Sequence, residues 1–420
     1  MPFSDATVQS LKKILGNAVN LENGGVPGIS AVVFDKAGNE LLVHSAGTLG
    51  ATSAEPLTPE HVFWMASCTK IVTALSVMQL VERGSLSLDD SEQLETLCPE
   101  LKDVQVLRDD GGTLEPKRKS ITMRMLLTHT SGFGYSFFSE KLRNYHYPAG
   151  IDEFSGRIDD VKMPLLFQPG EGWQYGASHN TTDSMSSIAL ERFTGVSLDE
   201  YIQTHICKPL GLGSVKFVLT PEMKAKVVHM HYRDPSGKLH PRDHLYRQAL
   251  VVETKEEQAK LFNSGGAGLF AKPQEYCRIL AALLNDGTCP TTGVQLVSAS
   301  TVADMFTNQI PQFPQFGQQG IVAAKPELTN SLPVLYPTAA DDGDATQGWG
   351  LSLMLNGGTT GRSPATGWWA GIANLFWWVD RERGVGGMVC AQVLPFGDAK
   401  VMETWFALET AVYAALQEAK

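Results

Sequence analysis

This 420-residue chain has few long apolar runs and few closely spaced cysteines, and it carries no excess of basic charge. No stretch approaches the ~20 apolar residues that a membrane-spanning helix needs. No basic segment followed by an apolar run of about 7–15 residues opens the chain, so we expect no signal peptide and predict a cytoplasmic protein without a membrane partner. A net charge of −11 argues against nucleic-acid binding, which needs a basic surface.

The six cysteines show neither C-x-x-C spacing nor a Cys/His zinc pattern. We therefore expect buried thiols rather than a disulfide framework. A group of histidines raises the question of a metal site, but such a site needs defined geometry and supporting partners, which a charged, loop-like stretch does not provide. We predict neither a metal nor a cofactor. The histidines are His229, His231, His240 and His244.

Hydrophobic periodicity divides the chain into strands near both ends and helices in the middle. Residues 1–20 predict an amphipathic helix, and two β-rich stretches around the turn at 36–39 predict a hairpin. The segments WWAGIANLFWWVD and VGGMVCAQVL predict a second hairpin between residues 368 and 394. An amphipathic helix is predicted over residues 67–83, and further helices over 123–130, 181–193, 198–206, 273–285 and 400–419.

This order predicts an α/β (α+β) fold in which both chain ends build one sheet layer and a mostly helical region is inserted between them. We expect residues 1–88 and 260–420 to form the discontinuous sheet domain and residues 89–259 to form the helical region. Residues 308–346 are rich in Pro, Gln and Gly and are predicted to be a long surface excursion.

Ser67 and Lys70 stand three residues apart at the start of a predicted helix. That spacing puts both side chains on one helix face, one turn apart. A serine hydroxyl is a weak nucleophile until its proton is removed, and an amine with a lowered pKa can help to remove it. The amino end of the helix adds N–H groups that favour developing negative charge. A capping serine and a solvated lysine would give the same pattern, so both interpretations stay open on spacing alone.

Further segments make the pattern specific. In their order they resemble the serine β-lactamase and penicillin-binding-protein superfamily, and within it the class C β-lactamase-like esterases and fungal statin side-chain acyltransferases. The resemblance spans residues 60–395, nearly the whole chain. It rests on residues 63–70 (FWMASCTK), 121–132 (ITMRMLLTHTSG), 169–176 (PGEGWQYG), 265–270 (GGAGLF) and 369–371 (WAG).

The resemblance implies an antiparallel sheet flanked by helices, with the active site where the sheet domain meets the helical region. It implies that Ser67 is the nucleophile and that Lys70 is its partner. It also implies that Tyr175, as a phenolate or as a phenol sharing a proton with Lys70, deprotonates Ser67 and later the acyl acceptor. The backbone N–H groups of Ser67 and Ile372 would form an oxyanion hole, each typically worth ~3–4 kcal/mol. The strand implied to line the site consists of Trp369, Ala370 and Gly371.

Departures from the β-lactamase pattern concern the substrate. Ala177 stands where β-lactamases of this type carry an Asn two residues after the tyrosine, and Trp369 stands where they carry the lysine of a Lys-Thr-Gly motif. That lysine helps to bind the β-lactam carboxylate. An aromatic residue in its place favours a neutral, apolar substrate, so we predict ester or thioester chemistry rather than β-lactam hydrolysis.

Aromatic residues near the motifs have two open interpretations. Trp173, Phe133 and Tyr135 are candidates for the wall of the substrate pocket, together with Phe138, and ordinary core packing explains them equally well. His129, inside LLTHTSG, is expected to have a structural role in shaping the turn.

The sequence therefore predicts a serine acyltransferase of small-molecule, secondary metabolism. It would acylate Ser67 from an ester or thioester donor, carried by an acyl carrier protein or coenzyme A, and pass the acyl group to a hydroxyl or amine of a small-molecule acceptor. A carboxylesterase is the alternative, because it differs only in admitting water to the same acyl-enzyme. A β-lactamase and a non-catalytic scaffold are further alternatives; the scaffold is disfavoured because Ser67, Lys70 and Tyr175 are all present.

Overall fold

The computed structural model describes residues 2–156, 163–175, 182–314, 320–336 and 348–418. Gly176, the last residue of the PGEGWQYG segment, and Ala177, which follows it, lie outside the described residues, as do parts of the predicted excursion at 308–346. Within the described residues, no helix is both long and apolar enough to cross a membrane.

The strands, in chain order, are β1 (Gly28–Asp35), β2 (Glu40–Gly47), β3 (Phe63–Trp64), β4 (Gln105–Leu107), β5 (Leu114–Pro116), β6 (His231–Arg233), β7 (Leu239–Pro241), β8 (Phe270–Ala271), β9 (Gly348–Trp349), β10 (Met354–Leu355), β11 (Gly367–Gly371), β12 (Leu375–Asp380), β13 (Val385–Cys390) and β14 (Val393–Leu394). The α-helices are α1 (Asp5–Ala18), α2 (Thr69–Glu82), α3 (Ser91–Leu97), α4 (Met123–Leu127), α5 (Glu140–Tyr145), α6 (Thr182–Thr194), α7 (Leu198–Ile202), α8 (Lys208–Leu210), α9 (Pro221–Lys224), α10 (Gln248–Val251), α11 (Lys255–Gln258), α12 (Pro273–Leu284), α13 (Ala299–Met305) and α14 (Ala399–Glu418). Short 3₁₀ turns at Leu21–Asn23, Ala66–Cys68 and Pro99–Leu101 and a π-turn at Gln203–Cys207 complete the described elements.

A seven-stranded antiparallel sheet organises the fold, in the order β2-β1-β13-β12-β11-β10-β9. Its first two strands come from the start of the chain and the others from the end. The two chain ends meet where β1 pairs with β13, with Ser30 opposite Cys390 and Asp35 opposite Val385. The predicted antiparallel sheet built from both ends is therefore confirmed, whereas the domain boundaries stay a prediction.

The strands near the carboxyl end differ from the single hairpin that was predicted, because the chain reverses twice and forms β11, β12 and β13. The apolar run WWAGIANLFWWVD is longer than the usual strand of 3–10 residues, and it turns at Asn374, whose φ is +63°. Asparagine tolerates this left-handed conformation. Its side chain also holds the turn, since Nδ2 donates to the carbonyls of Val393 and Pro395 and Oδ1 accepts from Gly397 N.

Helices pack on the sheet and on one another in two groups. Near the sheet, α1 packs on β1, β2 and α14, while α12 packs on β1, β12 and β13. In the other group α2 contacts α6 and α7, and α6 contacts α3 and α4. The longer predicted helices therefore match α1, α2, α6, α12 and α14 closely.

Helix α2 is buried on all sides, whereas an amphipathic helix was predicted. Every side chain at residues 69–80 is buried. Most of their polar atoms bond within the core, although Gln79 Oε1 has no hydrogen-bond partner among the described residues. Thr73 Oγ1 donates to the carbonyl of Gly265 at 2.7 Å, and Gln79 Nε2 donates to the carbonyl of Leu296 at 3.0 Å. A helix enclosed all round belongs to the core and is held by packing on every face.

A buried ion pair joins α14 to the segment before β11. The guanidinium of Arg362 donates to the carboxylate of Glu409 at 2.6 and 2.7 Å, and both side chains are fully buried. Hydroxyls of Tyr336 and Thr360 also donate to this carboxylate. The network holds the helix through groups that would be costly to leave unpaired in the core.

Removing one member of this pair should strongly destabilise the fold. In Glu409→Gln the guanidinium of Arg362 stays buried without a counter-charge, and we expect the free energy of unfolding to fall by ~3–5 kcal/mol. The control is Glu171→Gln, which breaks a pair with Arg118 whose side chains are both more than half exposed and should cost less than about 1 kcal/mol. Chemical denaturation measures both, and equal effects would contradict the prediction.

Candidate active site

Ser67 lies in the 3₁₀ turn Ala66–Cys68, which leads directly into α2. The preceding residue, Ala66, has a φ of +46°. This left-handed conformation costs a residue with a Cβ about 1–2 kcal/mol, and such strain persists only where the surrounding structure imposes it. Here β3 pairs with β8 before the turn and α2 is locked in the core after it, so Ser67 is held between two fixed elements.

Lys70, at the head of α2, donates from Nζ to three acceptors within the described part of the chain. They are Ser67 Oγ at 3.4 Å, the hydroxyl of Tyr135 at 3.2 Å and the carbonyl of Gly266 at 2.8 Å. An ammonium group has three N–H bonds to donate, so the arrangement suits the charged form of lysine. A buried cation at this place favours negative charge that develops on neighbouring oxygens.

Tyr175 lies beside Lys70 within a group of aromatic rings. The indole Nε1 of Trp369 donates to its phenol oxygen at 2.8 Å. Lys70 Nζ is 5.6 Å from the centroid of the Tyr175 ring, and the ring centroid of Tyr135 is 5.4 Å from that of Tyr175. Lys70, Tyr175 and Trp369, which come from three separate motifs in the sequence, are thus brought together.

The end of β11 comes against the turn that holds Ser67. A Cβ added to Gly371 would lie 2.8 Å from the carbonyl oxygen of Met65 and 3.3 Å from the Cβ of Ala66. Glycine permits this close approach of two backbones. Ser67 and Ile372 consequently line the same pocket.

The pocket in front of Ser67 is apolar and encloses about 1020 Å³, including its open mouth. Among the described residues, no charged side chain lines it. The predicted wall residues Trp173, Trp369, Ala370 and Gly371 belong to the lining, together with Phe137 and Phe138. Such a surface suits an apolar, uncharged ligand.

One wall of this pocket was missed by the sequence analysis. Ile321, Val322 and Leu335 line it, yet they lie within the stretch predicted to be a surface excursion. Ala324 N donates to the carbonyl of Phe137 at 3.0 Å, which ties this segment to the opposite wall. The local signal of this position in the sequence is two aliphatic pairs, Ile321-Val322 and Val334-Leu335, in a stretch otherwise rich in Pro, Gln and Gly.

Two of the predicted wall residues lie elsewhere. Phe133 is buried and lines a second cavity that also contains Met163 and Met185. Tyr135 is fully buried and contacts Lys70 instead of the pocket surface. The chain turns sharply after Tyr135, where Phe138 N donates to the carbonyl of Tyr135 at 3.1 Å. Aromatic residues close in sequence therefore lie on different sides of this segment.

His129 is enclosed next to Tyr175. It is 1% exposed, and neither ring nitrogen has a hydrogen-bond partner in the described part of the chain. Its ring packs edge-on against Tyr175 and Trp349, both at 4.9 Å between centroids. Burial, and secondly the charge of Lys70, holds the pKa of His129 well below its usual value, so the imidazole is neutral.

The histidines singled out between residues 229 and 244 make separate structural contacts. His231 Nε2 accepts from the backbone N of Ala51 at 3.0 Å, and His240 Nε2 bonds to Asp234 at 2.7 Å. The ring of His244 packs in the aromatic core. Within the described residues, no three His, Cys, Asp or Glu side chains gather into a metal-binding group.

A family model described as Beta-lactamase matches residues 5–411 of the chain. The chain belongs to the β-lactamase family. It is 31% identical to the protein named acyltransferase calJ of Penicillium decumbens, covering 87% of this chain and 84% of that protein. It is 28% identical to the lovastatin esterase of Penicillium rubens, covering 89% and 91%.

The solved structures similar to this β-lactamase-family chain include a mutant of the simvastatin synthase LovD from Aspergillus terreus. It aligns with a TM-score of 0.78 and 28% identity, covering 98% of each chain. The family and the fold predicted from the sequence motifs are confirmed, and the relatives are named as acyltransferases and esterases.

The buried, neutral His129 should make the folded state sensitive to acid. The unfolded chain takes up a proton on this imidazole as the pH falls through about 6.5, whereas the folded state does not, so stability is lost as the pH drops from 7 to 5. In His129→Phe the slope of the free energy of unfolding against pH should be smaller by up to ~1.4 kcal/mol per pH unit.

Chemical denaturation at successive pH values measures this slope. Above pH 7 the difference between the two proteins should no longer depend on pH, which serves as the internal control. Curves that stay parallel from pH 8 to pH 5 would show that His129 titrates alike in both states.

Proposed function

We propose that this protein is an acyltransferase of small-molecule, secondary metabolism that works through an acyl-enzyme on Ser67. The observation that carries the proposal is Ser67 at the head of an apolar pocket, 3.4 Å from the buried Nζ of Lys70, with Tyr175 in the lining of the same pocket. A nucleophile, a cation and a phenol in one enclosed site are the groups that acyl transfer through a serine ester requires.

In the first half-reaction, Ser67 Oγ attacks the carbonyl carbon of the donor while its proton passes to the phenolate oxygen of Tyr175. The ammonium group of Lys70 keeps its protons and stabilises both oxygens as their charge changes. The backbone N–H groups of Ser67 and Ile372 hold the negative oxygen of the tetrahedral intermediate. The bond to the leaving sulfur or oxygen then breaks, and the proton moves from Tyr175 to that atom.

In the second half-reaction, Tyr175 removes the proton from a hydroxyl or amine of the acceptor. The acceptor attacks the ester carbonyl, the bond to Ser67 Oγ breaks, and the proton returns from Tyr175 to Ser67. The same groups therefore serve both directions, and the enzyme ends as it began.

The lining of the pocket supports an apolar, uncharged acyl group and acceptor. A charged substrate group would lose its hydration there without meeting an opposite charge on a described lining residue. Trp369 in place of a lysine argues in the same direction against a β-lactam carboxylate. The donor is, in this proposal, an ester or a thioester on coenzyme A or an acyl carrier protein, of which only the acyl end enters the pocket.

A carboxylesterase is the second candidate. A relative 28% identical to this chain is named lovastatin esterase, and the acyl-enzyme on Ser67 would be the same. The outcome depends on whether water reaches the ester before the acceptor does, and the apolar lining favours transfer.

The proposed reaction takes place in the cytoplasm. Free, buried cysteines suit a reducing compartment, and the cysteines that the structure describes are of this kind: Cys68, Cys98, Cys207, Cys277, Cys289 and Cys390.

Incubation with a short-chain thioester should add the mass of one acyl group to the wild-type protein and nothing to Ser67→Ala. Intact mass spectrometry measures the adduct. Cys68→Ala is the matched control and should be acylated like the wild type, because burial raises the pKa of the Cys68 thiol and keeps it protonated.

An adduct that persists in water and is lost on adding a small alcohol or amine would support transfer. An adduct lost equally fast in water alone would support the esterase. If neither thioesters nor activated esters give an adduct or any turnover, the acyl-enzyme proposal fails.

Tyr175→Phe should fold normally but acylate Ser67 about 10²–10⁴-fold more slowly, because the phenol that accepts the proton is lost. Tyr135→Phe is the matched comparison, since Tyr135 also lies next to Lys70, at 3.2 Å from Nζ. We expect the smaller loss in Tyr135→Phe. Stopped-flow acylation with an activated ester measures both, and the reverse order of effects would assign the base to Tyr135.

A further inference from the structure

The indole of Trp369 makes a direct hydrogen bond to the proposed base. Its Nε1 donates to the phenol oxygen of Tyr175 at 2.8 Å, across 194 residues of sequence. An indole N–H only donates, so in this contact the phenol oxygen is the acceptor. A donor aimed at an oxygen stabilises that oxygen most when it carries negative charge.

The ring of Trp369 is held rigidly in the position from which it donates. The residue lies in β11 opposite Trp377 of β12 and is 4% exposed. Trp349 packs edge-on against its ring at 4.6 Å, and the ring of Tyr175 lies at 4.5 Å between centroids. The donor is therefore in place before any substrate binds, which is the condition for electrostatic preorganisation.

Other titratable side chains also lie around Tyr175, and one of them, Lys70, acts on the phenol oxygen in the proposed mechanism. Among the described residues these are Lys70, whose Nζ is 5.6 Å from the ring centroid, Tyr135 at 5.4 Å and His129 at 4.9 Å between centroids. Lys70 donates to Ser67, Tyr135 and Gly266, and His129 is neutral. The indole thus supplies a neutral donor to the phenol oxygen from the side of the sheet.

We propose that Trp369 is a positioning residue for acyl transfer, whose indole N–H orients the phenol of Tyr175 and stabilises it as the phenolate. The inference rests on the proposed role of Tyr175 as the base. It gives Trp369 a second task beyond forming the pocket wall. The apolar ring excludes a substrate carboxylate, while the N–H acts on the base.

Trp369→Phe tests this directly, because it keeps an aromatic ring in the wall and removes the N–H. The rate of Ser67 acylation below the pH optimum should fall about 10- to 100-fold, as expected when a hydrogen bond to a charged group is lost. The acidic limb of the pH profile of kcat/KM should move about one pH unit or more to higher pH. A small acyl donor should bind nearly as before, so the loss appears in kcat rather than in KM.

Trp377→Phe is the matched control. Trp377 faces Trp369 across β11 and β12 and is fully buried, and its indole nitrogen has no hydrogen-bond partner among the described residues. The substitution makes the same change of ring in the neighbouring strand without breaking a hydrogen bond. Its acidic limb should coincide with that of the wild type.

Acylation of Trp369→Phe with an unshifted acidic limb would overturn the inference, as would an equal shift in Trp377→Phe. A failure of the proposed function would look different, because the wild-type protein itself would then form no adduct on Ser67. If Trp369→Phe does not fold, ¹⁵N-tryptophan spectra of the wild type and Tyr175→Phe decide. One of the eight indole N–H resonances should move strongly when its acceptor is removed, and an unchanged set would refute the hydrogen bond.

Discussion

The burial of α2 on every side over residues 69–80 is the constraint on which the site depends. A helix in the core cannot shift without disturbing neighbours on every face, so the turn before it is also fixed. Lys70, in the first turn, loses its hydration and receives three oxygen acceptors instead. The cost of burying this ammonium group is offset by those contacts, and its charge is thereby aimed at Ser67.

The sheet supplies the other half of the site, because the end of β11 packs closely against the turn that holds Ser67. At Gly371 the end of β11 leaves no room for a Cβ beside Met65, and this places Trp369 and Ile372 opposite the nucleophile. Aromatic rings from three parts of the chain then fill the space around Tyr175. The result is a pocket whose described lining is uncharged but which borders a buried cation, a combination suited to reactions that create negative oxygen from neutral esters.

Much of the fold and of the site could be predicted from short segments of the sequence. The spacing of Ser67 and Lys70 follows from helix geometry, and the hairpin formed by β1 and β2 follows from its turn residues. The segments around Ser67, Tyr175 and Trp369 are specific enough to indicate the family, which the comparisons confirmed. The all-round burial of α2 was missed because Thr69, Lys70, Thr73 and Ser76 fall on one side of the helix and suggest a polar face, which the structure buries as well.

The sequence by itself determined the family, the antiparallel sheet built from both chain ends and the residues that are candidates for the chemistry. Only the tertiary structure decided that Tyr135 contacts Lys70, that Trp369 donates to Tyr175 and that Phe133 lies in another cavity. The physical reason is the distance along the sequence over which each effect acts. Helix periodicity and turn propensity act over a few neighbours, whereas these contacts join residues up to 194 positions apart and depend on how the sheet and the helices pack.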